Sequence, residues 1–535
     1  MRCLIVLFAI TILAALCATA SLAQVADPST MDGKIICGYQ GWFCCPGDGN
    51  DPVIGWQHWS RSIVAMGPGH YNTELWPDTR EYDPSDLFEV PNTTLTSGAK
   101  AYLFSSSKQG AVNVHFRWMQ ENGIDGVLLE RFTNGMVLDV NNAGYKWRNA
   151  ALGNVKSAAN RYGRVWAVEY DVSGDPDTAT IYDRITGDWK YLKKTYGLYK
   201  DRRYLHQKGR PVVTIFGLGF RGDGYPISPE LASRIITYFQ KDGCWVIGGV
   251  PWGWRTLTGC KSDPQWATVF RSFNGIKPWT VGAYRNWDGI LQIRKNVWIP
   301  DFEECEKLGI TYMPTAWPRF GWDNMHGYPC GQSKMSSRGG QHLWDQLYVM
   351  KGLGARTIYG AMFDECDEST AMMKVSDDVP TAGCWWTNEG LPADWHLRLL
   401  NYGGKMLRGE IPLSRTIPIS PSSAADNAEI LGDTIPKVMV VGKRYSVSVT
   451  VKNAGETCWN AEAFKLAQDF GPLAGVSSSM TSGSMVAPRV SCKFKLTLTA
   501  PDALGSYALG LRMEHVRIGR FGMVLSKQIT VRADR

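Results

Sequence analysis

The sequence predicts an α/β fold, a (β/α)8 barrel of the TIM type with long loops, followed by an all-β sandwich. Three features of the chain point to it. Eight short apolar runs alternate with amphipathic stretches between residues 31 and 410; composition changes near residue 411; and tryptophans and carboxylates recur at the ends of the apolar runs. At 535 residues the chain exceeds one ordinary core, so a large barrel with an appendage fits its length. With 44% apolar residues it can bury such a core.

The strand-like runs are Ile35–Phe43, Gly126–Phe132, Arg164–Ser173, Pro211–Phe220, Trp245–Trp254, Trp279–Arg285, Thr311–Pro318 and Ile358–Asp364. Helical periodicity lies between them at Val114–Asn122, Pro229–Lys241, Phe302–Leu308 and Gln341–Leu353, and Trp395–Arg408 follows the last run. Eight strands each followed by a helix is the arithmetic of a closed barrel. A doubly wound open sheet is the main competitor. It gives no reason to place indoles and carboxylates after nearly every strand, and no Gly-rich dinucleotide fingerprint follows the first run.

Residues 31–410 are therefore assigned to the barrel, and Ile411–Asn427, rich in Pro and Ser, to a linker. Beyond it Arg444–Val451, Lys493–Thr499 and Ser506–Met513 alternate apolar and polar residues, as strands of a sandwich spanning 428–535 do. Cys458 and Cys492, the two cysteines of that region, are expected to pair. At the other end, Met1-Arg2, the apolar run Leu4 to Ala20 and Ser21-Leu22-Ala23 read as a secretory signal peptide over residues 1–23. A secreted or periplasmic protein follows, without membrane insertion after cleavage, since no other stretch approaches a span. Eleven cysteines remain, an odd number that leaves at least one thiol free. No C-x-x-C pair occurs, which argues against structural zinc. With 57 basic against 50 acidic residues and no Lys/Arg run, nucleic acid is excluded as a partner. Neither a metal nor a cofactor is expected, and the oligomeric state is not legible.

Barrel enzymes place reacting groups at the C-terminal strand ends. Here those positions hold Tyr39, Gln40, Trp42, Glu130, Arg131, Glu169, Asp171, Trp252, Trp254, Arg285, Trp317, Arg319, Asp364 and Glu365. The loop after the first strand adds Trp56, His58 and Trp59, and the seventh loop Trp322. Indole faces stack on the C–H surfaces of pyranoses, while carboxylates and arginines bond hydroxyls and supply acid and base, so the partner implied is a carbohydrate. Twenty-one of the 22 tryptophans lie between Trp42 and Trp395, within the proposed barrel. Glu130-Arg131 reads either as an ion pair shaping the pocket or as a direct contact to substrate.

The densest cluster is Asp364-Glu365-Cys366-Asp367-Glu368 at the last strand's end. Carboxylates this crowded in a concave site repel, which raises some of their pKa values and leaves one protein holding both an acid and a base. Retaining glycosidases need two carboxyls about 5–5.5 Å apart. Glu365 and Glu368 meet that if the chain turns helically after the strand. The alternatives are a solvated acidic turn or a calcium loop, although a calcium loop needs a central Gly and more oxygen donors.

The segment Tyr359 to Ala371 resembles the N-E-W-x-E-G-T segment of glycoside hydrolase family 99 and its relative family 71, and more closely the exported bacterial xylosidase/arabinosidase-type proteins of the same superfamily. Gly38-Tyr39-Gln40-Gly41-Trp42-Phe43, Trp56-Gln57-His58-Trp59, Leu75-Trp76-Pro77-Asp78 and Gly248-Gly249-Val250-Pro251 extend the resemblance over residues 31–410. It implies that Glu365 acts as base on a sugar 2-hydroxyl, giving a 1,2-anhydro intermediate, that Glu368 protonates the leaving oxygen, and that configuration is retained. Asp364, Cys366 and Ser369 stand where family 99 has Asn, Trp and Gly, which leaves both carboxylates in place and the α-mannoside specificity open. Family 71 inverts, so the stereochemistry stays open as well. Val441–Tyr445 and Val451–Trp459 resemble the four-tryptophan immunoglobulin-like domain, which implies a spacer or binding accessory.

The sequence thus leads to an exported glycoside hydrolase. Two alternatives stand beside it: an inactive carbohydrate-binding or adhesion protein on the same barrel, and a metal-dependent hydrolase using Asp364, Glu365 and a His.

Overall fold

A computed structural model describes residues 25–534 except 223, 422–425, 456, 473–475, 482–483 and 487. The segment read as a signal peptide and part of the one read as a linker lie outside them.

Eight parallel strands pair in chain order: Lys34–Tyr39, Gly126–Phe132, Val165–Asp171, Arg210–Phe216, Trp245–Pro251, Gly275–Trp279, an interrupted seventh, and Thr357–Gly360, which returns to the first. The seventh is split into Thr311–Tyr312 and Thr315–Ala316 by Met313-Pro314. Proline cannot donate to a ladder, so the strand bends there. Its first half pairs with the sixth strand and its second with the eighth. The Met313 N–H donates to Ile276 and the Pro314 carbonyl accepts from Tyr359. The sheet thereby closes into the predicted barrel.

The sixth strand was expected at Trp279–Arg285 and instead ends at Trp279. Lys277 and Pro278 break its apolar run, which hides it from hydropathy. Lys277 is wholly buried inside the barrel, paired with Glu169 of the third strand, its ammonium 3.6 Å from the Tyr359 ring centroid. These three residues floor the mouth. Gly38 of the first strand makes room for them, since a Cβ there would strike the Tyr359 hydroxyl and the Met362 sulfur.

The helices pack outside. Pro229–Lys241 starts at Ser228, whose hydroxyl accepts from Leu231 N–H, and buries Ala232, Ile235, Ile236 and Phe239, a stripe at helical spacing. Ala143–Tyr162 and Ile181–Tyr196, which the sequence reading passed over, bury Leu152, Val155 and Ala159, and Ile181, Ile185, Trp189 and Leu192. The loop after the first strand is long and contains a hairpin, Leu87–Thr94 with Lys100–Phe104.

C-terminal to the barrel, Ala428–Asp433, Arg444–Asn453 and Ser491–Thr499 form one antiparallel sheet. Val438–Val440, Gly519–Arg532, Gly505–His515, Phe464–Phe470 and Ser477–Ser479 form another, with Trp459 buried in the shared core. This module docks on the helix Gln109–Glu121 and its neighbours: Asn460 donates to Glu121 at 2.9 Å and the Tyr162 hydroxyl to Glu462 at 2.9 Å. The expected Cys458–Cys492 bridge does not form; both are thiols. Cys492 sits in a strand opposite Val451, while the backbone at Cys458 turns to the barrel and donates to Glu121. The disulfide is Cys330–Cys384, which ties the loops after the seventh and eighth strands.

Candidate active site

The eighth strand leaves the barrel into a tight loop. Phe363 N–H donates to Gly38 at 2.8 Å, Ala371 N–H to the Glu365 carbonyl at 2.9 Å, and Met373 N–H to Phe363 at 3.0 Å. The acidic segment is therefore pinned at both ends, and it turns without becoming a helix. Ser369 sits at φ 60°, a left-handed conformation glycine adopts without cost. The Ser369 hydroxyl secures it by donating to Gly321 at 2.9 Å.

Within the loop the carboxylates differ. Asp364 accepts the N–H groups of Gln40 (2.7 Å) and Gly41 (2.9 Å), so it orients the end of the first strand. Burial pushes it up to about 7. Glu365 accepts from the Gln40 amide at 2.8 Å and from the Thr370 hydroxyl. Burial, then repulsion by Glu368 and Asp367, holds it well above the usual carboxylate range. Glu368 is partly open to the mouth, and burial followed by Asp367 pushes it up to about 7. Asp367 contacts His58 Nδ1 at 3.3 Å. Crowding and burial thus favour the protonated form of both Glu365 and Glu368.

Around the pair, His58 lies flat on Trp42, ring centroids 3.5 Å apart, and Trp42 stacks on Phe132. His58 itself has φ 60°. Glu130 points inward with Oε2 buried and unpartnered; burial, Asp171, Glu169 and Glu365 raise it well above its ordinary value. Asp171 is held by the Ser173 N–H at 2.6 Å and sits near 7 through burial. Glu74 accepts from Asn324 N–H and Trp386 Nε1, fastening the first, seventh and eighth loops together behind Ser369.

Several sequence-predicted positions fall elsewhere. Side chains alternate along a strand, so neighbours at a strand end face opposite ways. Tyr39 faces outward, its hydroxyl 2.7 Å from His115 of the first helix. Arg131 likewise faces outward and pairs with Asp188, not with Glu130. Trp59 is core, its indole donating to Phe104, and Trp56 is 5% exposed in the same core. Trp254 is buried against Asp301, and Trp317 against Tyr284 and His342 in the helical shell. Arg285 is exposed before the helix Trp287–Ile293, past the true end of the sixth strand. Trp252 stands exposed at the end of the fifth strand and Trp322 half-buried on the seventh loop beside Phe320.

Sequence reasoning missed an aromatic run on the opposite rim. Trp279 meets Phe216, Phe216 meets Phe220, and Phe220 stacks on Tyr225, with centroids 5.0–5.2 Å apart. The charges of Asp171 and Glu368 help raise the Tyr225 hydroxyl to about 12, behind burial, which brings this wall to the carboxylates. Strand-end position was the signal for Phe216 and Trp279; Phe220 and Tyr225 lie in the following loop.

Fold and mouth together define the class: a (β/α)8 barrel with carboxylates and aromatic rings at its C-terminal end. No family model and no curated protein matches the chain. Among solved structures, the GH99 endo-alpha-mannosidase from Bacteroides thetaiotaomicron aligns over 71% of this chain and 99% of its own at 14% identity, with a TM-score of 0.51. The same enzyme in complex with BIS-TRIS-propane gives 0.50 over the same shares. The likeness is one of fold.

Proposed function

We propose that the chain is an exported glycoside hydrolase whose acid–base pair is Glu368 and Glu365. The observation that carries this is a pair of crowded carboxyls, Glu365 buried and Glu368 partly open, at the end of the eighth strand in a mouth walled by stacked aromatic rings. Glu365 takes the proton of a sugar 2-hydroxyl, and O2 attacks C1 while Glu368 gives its proton to the departing oxygen. Water then opens the 1,2-anhydro ring at C1, surrendering a proton to Glu368 as Glu365 returns one to O2. Two inversions leave configuration retained. The Gln40 amide and Thr370 hydroxyl oppose burial and carboxylate repulsion by favouring negative charge on Glu365, the form in which it acts as base. Gln40 and Asp364 position the pair, and His58, Trp42, Glu130, Asp171, Trp252 and Trp322 are the candidates for contact with the sugar chain. The C-terminal module serves as spacer or accessory.

Incubation with a panel of poly- and oligosaccharides, following released reducing ends and their anomeric configuration, tests it. Release by the parent, abolished in Glu365→Gln and Glu368→Gln, is the expected result. Binding without release would favour the non-catalytic alternative, and wild-type release by both variants would refute the assignment.

A further inference from the structure

Beside the carboxylate pair, a cavity of about 220 Å³ opens between the ends of the first two strands and the helix Ala143–Tyr162. Trp42, Phe132 and Trp147 give it aromatic walls, and Gln40 and Glu130 connect it to the pair. Four of its polar atoms are buried without a hydrogen-bond partner: Trp42 Nε1, Trp147 Nε1, Gln40 Oε1 and Glu130 Oε2. Buried polar groups are costly when unpaired, so a ligand bringing its own donors and acceptors is favoured there.

Arg148 also lines this cavity, and its charge is not offset. Nη1 donates to the Gly144 carbonyl at 3.1 Å and Nη2 to the Asn134 carbonyl at 2.8 Å, both neutral. No carboxylate among the described residues forms an ion pair with it, whereas neighbouring Arg131 spends both arms on Asp188. Burial and Arg131 lower Arg148 to about 10, so it is still charged at neutral pH. The acid on the cavity wall, Glu130, makes no ion pair with it, and burial and carboxylate neighbours raise Glu130 well above its ordinary value. What remains is one uncompensated guanidinium at an aromatic-walled pocket.

We propose that this cavity is a subsite for a sugar bearing an anionic substituent, a uronate carboxylate or a sulfate ester, and that Arg148 reads the charge. The proposal rests on the glycosidase reading and adds the class of substrate. A planar guanidinium with free N–H groups matches the paired oxygens of either oxyanion.

Affinity measured by calorimetry on the full-length Glu368→Gln chain tests it, using uronate-bearing, sulfated and neutral oligosaccharides. Tighter binding of one acidic set over the neutral set is expected, and which set binds identifies the substituent. Arg148→Gln should lower that affinity by about ten- to a hundredfold, while Arg148→Lys, which keeps the charge, should retain part of it. A neutral set bound as tightly as both acidic sets, or Arg148→Gln binding an acidic set within twofold of its parent, overturns the proposal and leaves the glycosidase reading standing. Binding and cleavage of none of the three sets overturns both.

Discussion

Glu81 and Glu365 are both carboxylates withdrawn from water, the first at the seam between barrel and sandwich and the second at the barrel mouth. Around Glu81 stand Lys374 at 2.6 Å, Arg117 at 2.8 Å and, from the sandwich, His515 at 3.6 Å. Lys374 and Arg117 overcome the cost of burial and hold Glu81 well below the usual carboxylate range. Around Glu365 the charged neighbours that act on it most are Glu368 and Asp367, and its hydrogen-bond donors are a neutral amide and a hydroxyl. The same side chain is neutralised in one place and left repelled in the other. Neutralised, it joins two domains; repelled, it is poised to exchange protons.

Substitution separates the two most sharply. Glu365→Gln and Glu368→Gln should each lower kcat by about 10²–10⁴-fold, the usual worth of an acid or base. Neither should lower the unfolding temperature at pH 7.5, because each removes a buried group that resists ionisation. Thermal unfolding beside turnover checks this; a stability loss matching the activity loss would erase the distinction. Glu81→Gln should do the reverse and destabilise the fold by about 3–5 kcal/mol, measured with denaturant, by stranding Lys374 and Arg117.

Their pH dependences should oppose as well. The folded pKa of Glu81 is depressed, so its stabilisation is complete above the ordinary value of 4.5 and is lost as pH falls through the folded value. Glu368 is raised to about 7, so stability declines as pH climbs from 4.5 through 7, and the same ionisation costs turnover above about 7 by removing the acid. Unfolding temperature against pH should lose its acid limb in Glu81→Gln and show a shallower decline between pH 4.5 and 7 in Glu368→Gln. A smaller effect belongs to Gln40→Ala, which takes one donor from Glu365: about 1 kcal/mol, or roughly fivefold in kcat/KM.

The contrast also marks what could be read from one sequence. Segment periodicity located seven barrel strands and the acidic turn, because both are local in the chain. It could not say which residue at a strand end faces inward. Alternation alone would have separated Glu130 from Arg131, yet Trp254 and Trp317 lie just past their strands, where no period holds. The sixth strand was shifted because Lys277 reads as polar until Glu169, 108 residues away, is placed against it. The neutralised seam was invisible for the same reason: Glu81, Arg117, Lys374 and His515 are far apart in sequence and meet only in the fold. The acidic turn was legible because its carboxylates sit within five consecutive residues.

The most direct test of the repelled pair as acid and base is first-turnover cleavage by Glu368→Gln of two glycosides of the released sugar, one with an alkyl and one with a dinitrophenyl leaving group. The second needs no proton to depart. Cleavage of the alkyl glycoside lost by about 10²–10⁴-fold, with the dinitrophenyl glycoside within about tenfold of the parent, is the expected result. Equal loss on both, or loss on neither, would contradict Glu368 as the acid.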